Sequence, residues 1–194
     1  MKRIILITPT AVSHLKQRAR LLKREQDIPH HEALALTAKA ADFDNWHQVA
    51  EAAEPFKPTE EAYRHGCILG FDGSQAPAAD YDGCPFISEP YAIYLFEERL
   101  FKHYASQPDE EDPDGRPISQ TINPADLREN FDSDWGSMEF FRVKHASQIQ
   151  SAEQLLALVA KHSFWSPTIV FFKGQLLDSC ALPAISEDGD GVHT

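Results

Sequence analysis

Between Pro9 and Glu54 three short amphipathic patterns follow one another: PTAVSHLKQRARLLKREQD, HHEALALTAKAADF and NWHQVAEAAE. In the first, Val12, Leu15, Ala19 and Leu22 recur at spacings of three and four and form one apolar stripe. Pro29 disfavours helical geometry at Ile28 and so separates this helix from the next. The second pattern buries Ala33, Leu34, Leu36 or its neighbour Thr37, Ala38 and Ala41, and its alanines let a neighbouring helix approach closely. Asp44 or Asn45 caps a third helix in which Trp46, Val49 and Ala50 face inward. Helices this short are marginal in water, so the three must share a core.

Charge is segregated on the same stretch. Residues 1–24 hold seven basic residues and no acid, leaving 11 basic and 30 acidic residues, or −19, in the rest of a chain of net charge −12. Lys16, Arg20, Lys23 and Arg24 fall largely off the apolar stripe. Either they solvate one helix face, or they form a docking surface for an acidic partner, a nucleic acid or the chain's own acidic part. A net-acidic chain is a poor non-specific duplex binder, because phosphate affinity accumulates from cation contacts. Nucleic acid is therefore a candidate for residues 1–24 alone, and a protein partner is the stronger expectation.

The remainder reads as α+β. Arg3 to Ile7 is expected as a buried strand rather than a signal peptide, since IILI is short and Pro9 follows it. Pro55 to Thr59, with two prolines, reads as a linker. Strands are expected at Cys67–Phe71, Glu139–Lys144 and on both sides of Lys173-Gly174, which has hairpin chemistry. Helical period returns at Glu89–Ala105, Asn123-Pro124 opens a helix, and Ser151 with Gln154 forms a capping box. The expected organisation is an N-terminal strand and basic three-helix module (1–54), a linker (55–59), an acidic α+β domain (60–182) and a disordered tail (183–194). In that domain a mixed or antiparallel sheet of about four strands carries helices on one face. No apolar run is long enough to span a bilayer.

Catalytic signatures are absent. Gly70-Phe-Asp-Gly73 has no Lys-Ser/Thr and no following helix, so it is no phosphate loop. Gly73-Ser74 lacks the second half of a nucleophile elbow. The acidic loop 107–122 alternates Glu110, Asp112 and Asp114, but Thr121 stands where a calcium loop needs a bidentate Glu. His65, Cys67 and Cys84 offer three metal donors without a fourth at a recognisable spacing, and Cys67 suits a buried strand better. His30, His31 and His47 read as surface or capping residues. Three cysteines with no CxxC pair suit reduced thiols in a cytoplasm. No catalytic residue, metal or cofactor is implied. Trp135, Phe140, Phe141, Phe164, Trp165, Phe171 and Phe172 are expected chiefly in core and sheet packing, but the neighbours Phe164-Trp165 and Phe171-Phe172 cannot share one face of a strand. They require a sheet buried on both faces, or an interface.

The segment LKQRARLLKREQDIPHHEALALTAKAADFDNWHQVAEA carries LKxxAxxLK, then ALxLxAKxxxF, then NWH. It resembles a small helical module of bacterial glyoxalase-superfamily-related and plasmid-related proteins, over residues 12–52. Leu15, Ala19, Leu22, Ala33, Leu34, Ala38, Phe43 and Trp46 occupy the apolar positions of that pattern. The resemblance implies a bacterial origin and association with mobile elements, and it transfers no activity. Asp42 stands where the pattern often has Gly, which predicts a different second turn.

Two functions follow as expectations. The first is a non-enzymatic cytoplasmic binding or regulatory protein, such as a mobile-element accessory or antitoxin-like protein. It would dock a macromolecule through Lys16, Arg20, Lys23 and Arg24. The second is a small metal-assisted or hydrolytic enzyme with a site around His65, Cys67, Asp72 and Cys84.

Overall fold

The computed structural model describes residues 7–79 and 81–177, and the backbone alone at Ala184–Ile185 and Val192–His193. The chain divides into two compact units, Met1–Glu61 and Ala62–Thr194.

In the first unit the expected three helices form. Helix α1 (Pro9–Gln26) starts where Thr8 accepts a hydrogen bond from the Ala11 amide at 3.1 Å and Pro9 supplies a pre-set first turn. Helix α2 (His30–Ala40) packs chiefly on α1, and α3 (Trp46–Ala53) is capped by Asn45, whose Oδ1 accepts from Gln48 N at 3.1 Å. Their shared core holds Val12, Ala38, Phe43, Val49 and Ala53, with Ile7, Leu15 and Trp46 packed against it. On α2 the inward position is Thr37, whose hydroxyl donates to Ala33 O at 2.7 Å, while Leu36 is exposed. The expected strand Arg3–Ile7 lies outside the described residues except for Ile7, which is not in a strand.

Residues 55–59 are not a linker. A 3-10 turn (Glu54–Phe56) leads directly into α4 (Lys57–His65), and Phe56 and Thr59 are buried. Pro55 and Pro58 sit in opening turns, where a missing amide costs nothing, so two prolines start helices here instead of breaking them. Glu60, only 7 % exposed, accepts from the Thr10 amide at 3.1 Å and from the Thr10 hydroxyl. Helix α1 has no acid of its own in its first turn. Glu60 supplies that negative charge from 50 residues away in sequence and closes the helical unit.

Asp42 ends α2 in a left-handed conformation (φ 63°). The Phe43 amide donates to Ala38 O at 3.0 Å and the Asp42 amide to Lys39 O at 3.1 Å, with Phe43 buried over Ala38. This is a Schellman cap, whose left-handed position glycine fills without steric cost. The turn therefore keeps the geometry a glycine would adopt, contrary to the different turn expected from Asp42.

The second unit is built on one five-stranded sheet of order β2-β3-β1-β4-β5, antiparallel throughout. Its strands are β1 (Cys67–Asp72), β2 (Phe86–Ser88), β3 (Met138–Val143), β4 (Ile169–Phe172) and β5 (Gln175–Leu177). The hairpin between β4 and β5 turns at Lys173 (φ 49°) and Gly174 (φ 78°), the pair of left-handed residues that matches strand twist. Strand β2 is too short to be read from the sequence.

Helices cover both faces of this sheet, not one. Leu69, Phe71, Phe141, Val143 and Val170 face Leu155 and Val159 of α8 (Ala152–His162). Ile68, Phe140, Ile169 and Phe171 face Phe96 and Leu100 of α5 (Ile93–Ser106) and Phe131 of α7 (Pro124–Trp135). The reason is the strand composition: with apolar residues at both parities, each face must be removed from water. Each fully buried Phe contributes about 2–3 kcal/mol by area. Gly70 lets the Phe140 ring close over β1, where a Cβ would sit 2.8 Å from the ring edge. Arg128 of α7 pairs with Glu97 of α5 and with Asp132, and lies over the Phe101 and Phe131 rings at 5.4 and 5.3 Å.

The segment 183–194, expected to be disordered, lies outside the described residues apart from β6 (Ala184–Ile185) and β7 (Val192–His193), which pair antiparallel. Among the described residues no helix is long and apolar enough to cross a membrane.

The Asp42 geometry makes a stability prediction. Asp42→Gly raises the stability of the helical unit by about 0.5–1 kcal/mol, and Asp42→Val lowers it by about 1 kcal/mol or more. Urea denaturation followed by helical circular dichroism reads both.

Candidate functional site

The four cations named from the sequence are all exposed on α1. At 3.6 residues per turn, Lys16, Arg20, Lys23 and Arg24 span roughly 100° of the helix beside the buried Val12–Ala19 stripe. Arg18 falls on the other side, near Glu25. Among the described residues none of the four has an ion-pair or hydrogen-bond partner. Lys23 and Arg24 lie in the last turn, where they complement the helix dipole, and Asp27 ends the helix in a left-handed cap (φ 50°). The dipole accounts for those two and not for Lys16 and Arg20. Leu21, a large apolar residue exposed on the same helix, is not explained by the helix core either.

The metal donors named from the sequence are not assembled into a site. His65 is exposed at the end of α4, while Cys67 is fully buried in β1, where burial pushes its thiol up to about 12. A thiol held neutral by desolvation is a poor ligand and a poor nucleophile. Cys84 is also buried, with its Sγ 3.4 Å from the Phe86 amide and 3.5 Å from Ala78 O. Asp72 is used locally: its Oδ1 accepts from the Ser74 hydroxyl at 2.6 Å and the Ser74 amide at 2.9 Å, which lowers its pKa. Among the described residues no group of three or more His, Cys, Asp or Glu is placed to hold a metal. His30 and His31 are exposed at the start of α2, and His47 lies 3.1 Å from Glu51 on the surface of α3.

The acidic loop 107–122 is ordered. Pro108 and Pro117 face each other in an antiparallel bridge, and the short helix α6 (Ile118–Thr121) follows. Arg116 grips Asp112 with its Nη2 at 2.7 Å, its Nε at 3.1 Å and its backbone amide at 2.8 Å. Those bonds, the side-chain one first, lower the Asp112 carboxyl from 3.8 to about 2. Asp109 accepts from the Glu111 amide at 3.0 Å. Both carboxylates are therefore engaged in closing the loop and are not displayed for a cation.

Two surfaces in the second unit stand out. Phe164 and Trp165, in the loop between α8 and β4, are 91 % and 48 % exposed, with their rings edge-to-face at 5.0 Å. Two-sided burial of the sheet disposes of the other aromatic doublets but leaves this one in water. The sequence left this doublet open between a doubly buried sheet and an interface, on the premise of a strand; it belongs to a loop. The second surface gives no sequence signal: an open groove of about 650 Å³ between α8, the turn after β3 and the loop before β2. Its lining comes from three separate stretches of chain, so no local motif could mark it.

The chain matches no protein-family model, no curated protein and no solved structure.

The Asp112–Arg116 clasp is testable by titration. A carboxyl depressed in the folded state adds stability above its ordinary value of 3.8, and that contribution is lost as pH falls toward about 2. NMR titration of the Asp112 carboxyl is expected to give a midpoint of about 2. In Arg116→Gln the midpoint moves up toward 3.8, because the largest cause of the depression is removed.

Proposed function

We propose that this protein is a non-catalytic binding or regulatory protein whose helical unit docks an acidic protein surface through Lys16, Arg20, Lys23 and Arg24. The observation that carries the reading is the unpaired cationic face of α1 in a chain whose remainder carries −19. Unpaired surface cations are ordinary in ones and twos. Four on one helix face form a patch of the kind that steers and orients an oppositely charged partner. The second unit offers a different contact element, the Phe164–Trp165 pair, and exposed aromatics of this kind are frequent anchors of protein interfaces. A mobile-element accessory or antitoxin-like role is the concrete version implied by the resemblance of residues 12–52. The free, buried thiols of Cys67 and Cys84 fit a cytoplasmic setting. The metal-assisted or hydrolytic alternative is favoured by no observation at His65, Cys67, Asp72 or Cys84.

Quantitative affinity capture with the full chain and with Lys16→Glu/Arg20→Glu tests the docking surface. An acidic protein retained by the wild type at low salt is expected to be lost at least about tenfold in the variant, with circular dichroism unchanged. Equal recovery by both proteins overturns the proposal. A salt-sensitive gain of duplex DNA by the wild type alone would instead assign the cations to nucleic acid.

A further inference from the structure

Helix α8 presents one face to the sheet and another to the groove. Leu155, Leu156 and Val159 are buried, with Leu155 and Val159 against the sheet. Gln154, Ala157, Leu158 and Lys161 follow the i, i+3, i+4, i+7 spacing of a second stripe, and all four line the groove. The opposite wall is made by Pro85 and Cys84 before β2 and by Lys144, His145 and Ile149 after β3. From these pieces the geometry points to a binding site for a small amphipathic anion, a carboxylate or phosphate head on a hydrocarbon body.

Three observations converge on that ligand class. The floor is apolar, with Pro85, Ile149, Ala157 and Leu158 supplying it, and a groove of about 650 Å³ lies within the usual range for small-molecule sites. Among the described residues, the polar groups on its lining are two lysines, a histidine and glutamines. Lys144 is also fixed in place. Its Nζ donates to Cys84 O at 2.8 Å and its backbone amide to Pro85 O at 2.7 Å, which ties the two rims together. An ammonium has three donors, so two remain for a ligand head. His145 reverses the chain directly after Lys144 in a left-handed conformation (φ 54°), and the Gln148 amide closes that turn on His145 O at 2.9 Å. The local alternative is that Lys161 merely complements the C-terminal end of α8. That explains Lys161 alone and leaves Lys144, His145 and the apolar floor without a role.

Calorimetric titration of the full chain with decanoate, monodecyl phosphate and decanol, each below its aggregation threshold, tests the site. At least one of the two anions is expected to bind saturably and at least about tenfold more tightly than decanol, since the head adds charge pairing to the same apolar burial. Preference between decanoate and the phosphate identifies which head the site takes. Lys161→Glu, at an exposed position, is expected to weaken the anion at least about fivefold and to leave decanol unchanged. Ala157→Trp fills the groove and is expected to abolish binding of every probe. The proposal is overturned if no anion binds the wild type, if decanol binds as well as the anions, or if folded Lys161→Glu binds the anion with wild-type affinity. Should Ala157→Trp fail to fold, the Lys161→Glu comparison decides by itself.

Discussion

Strand β1 imposes the condition that the α+β unit has to satisfy. Cys67, Ile68, Leu69, Gly70 and Phe71 alternate between two faces and are all buried, so neither face can be left to water. Its backbone is paired on both edges, to β3 and to β4, which meets the hydrogen-bonding demand of a strand at that depth. Covering one face uses α8, and covering the other uses α5 and α7. The aromatic clusters then fall into place: Phe71 meets Phe141 edge-on at 5.8 Å on one side, and Phe96 meets Phe171 at 4.4 Å on the other. The high pKa of Cys67 is a by-product of the same burial.

The helical unit solves a different problem. Its helices have narrow apolar stripes, and α1 buries only Val12 and Ala19 fully. Most of the α1 surface is left outward, and in this sequence that surface is cationic. The small shared core is supplemented at the ends of the helices: Thr8 and Glu60 at the start of α1, the Schellman cap at Asp42, and Asn45 with Gln48 at the start of α3.

Features encoded within a few residues were legible in the sequence. The periodicity of α1, the helix start at Asn123-Pro124, the N-cap at Ser151 and the Lys173-Gly174 turn all act locally, and each appears where its chemistry requires. Two-sided burial accounts for the doublets at Phe140-Phe141 and Phe171-Phe172, while Phe164-Trp165 lies exposed in a loop. What stayed hidden depends on distant residues. Pro55 and Pro58 read as a linker because nothing nearby shows that Glu60 will cap α1. Strand β2 has three residues and is defined only by pairing with β3. The Asp112–Arg116 clasp turns an apparently solvated acidic run into a closed loop. The four cations named from the sequence are exposed together on α1, whereas the groove needed α8, β3 and the β2 approach assembled before it existed.

Residue-resolved native-state hydrogen exchange across 62–177 measures the double burial of β1 most directly. The Ile68 to Phe71 amides are expected to be the slowest in the unit and to exchange only through its complete unfolding. Exchange of these amides faster than those of α5 or α8, through local opening, would contradict a sheet sealed on both sides.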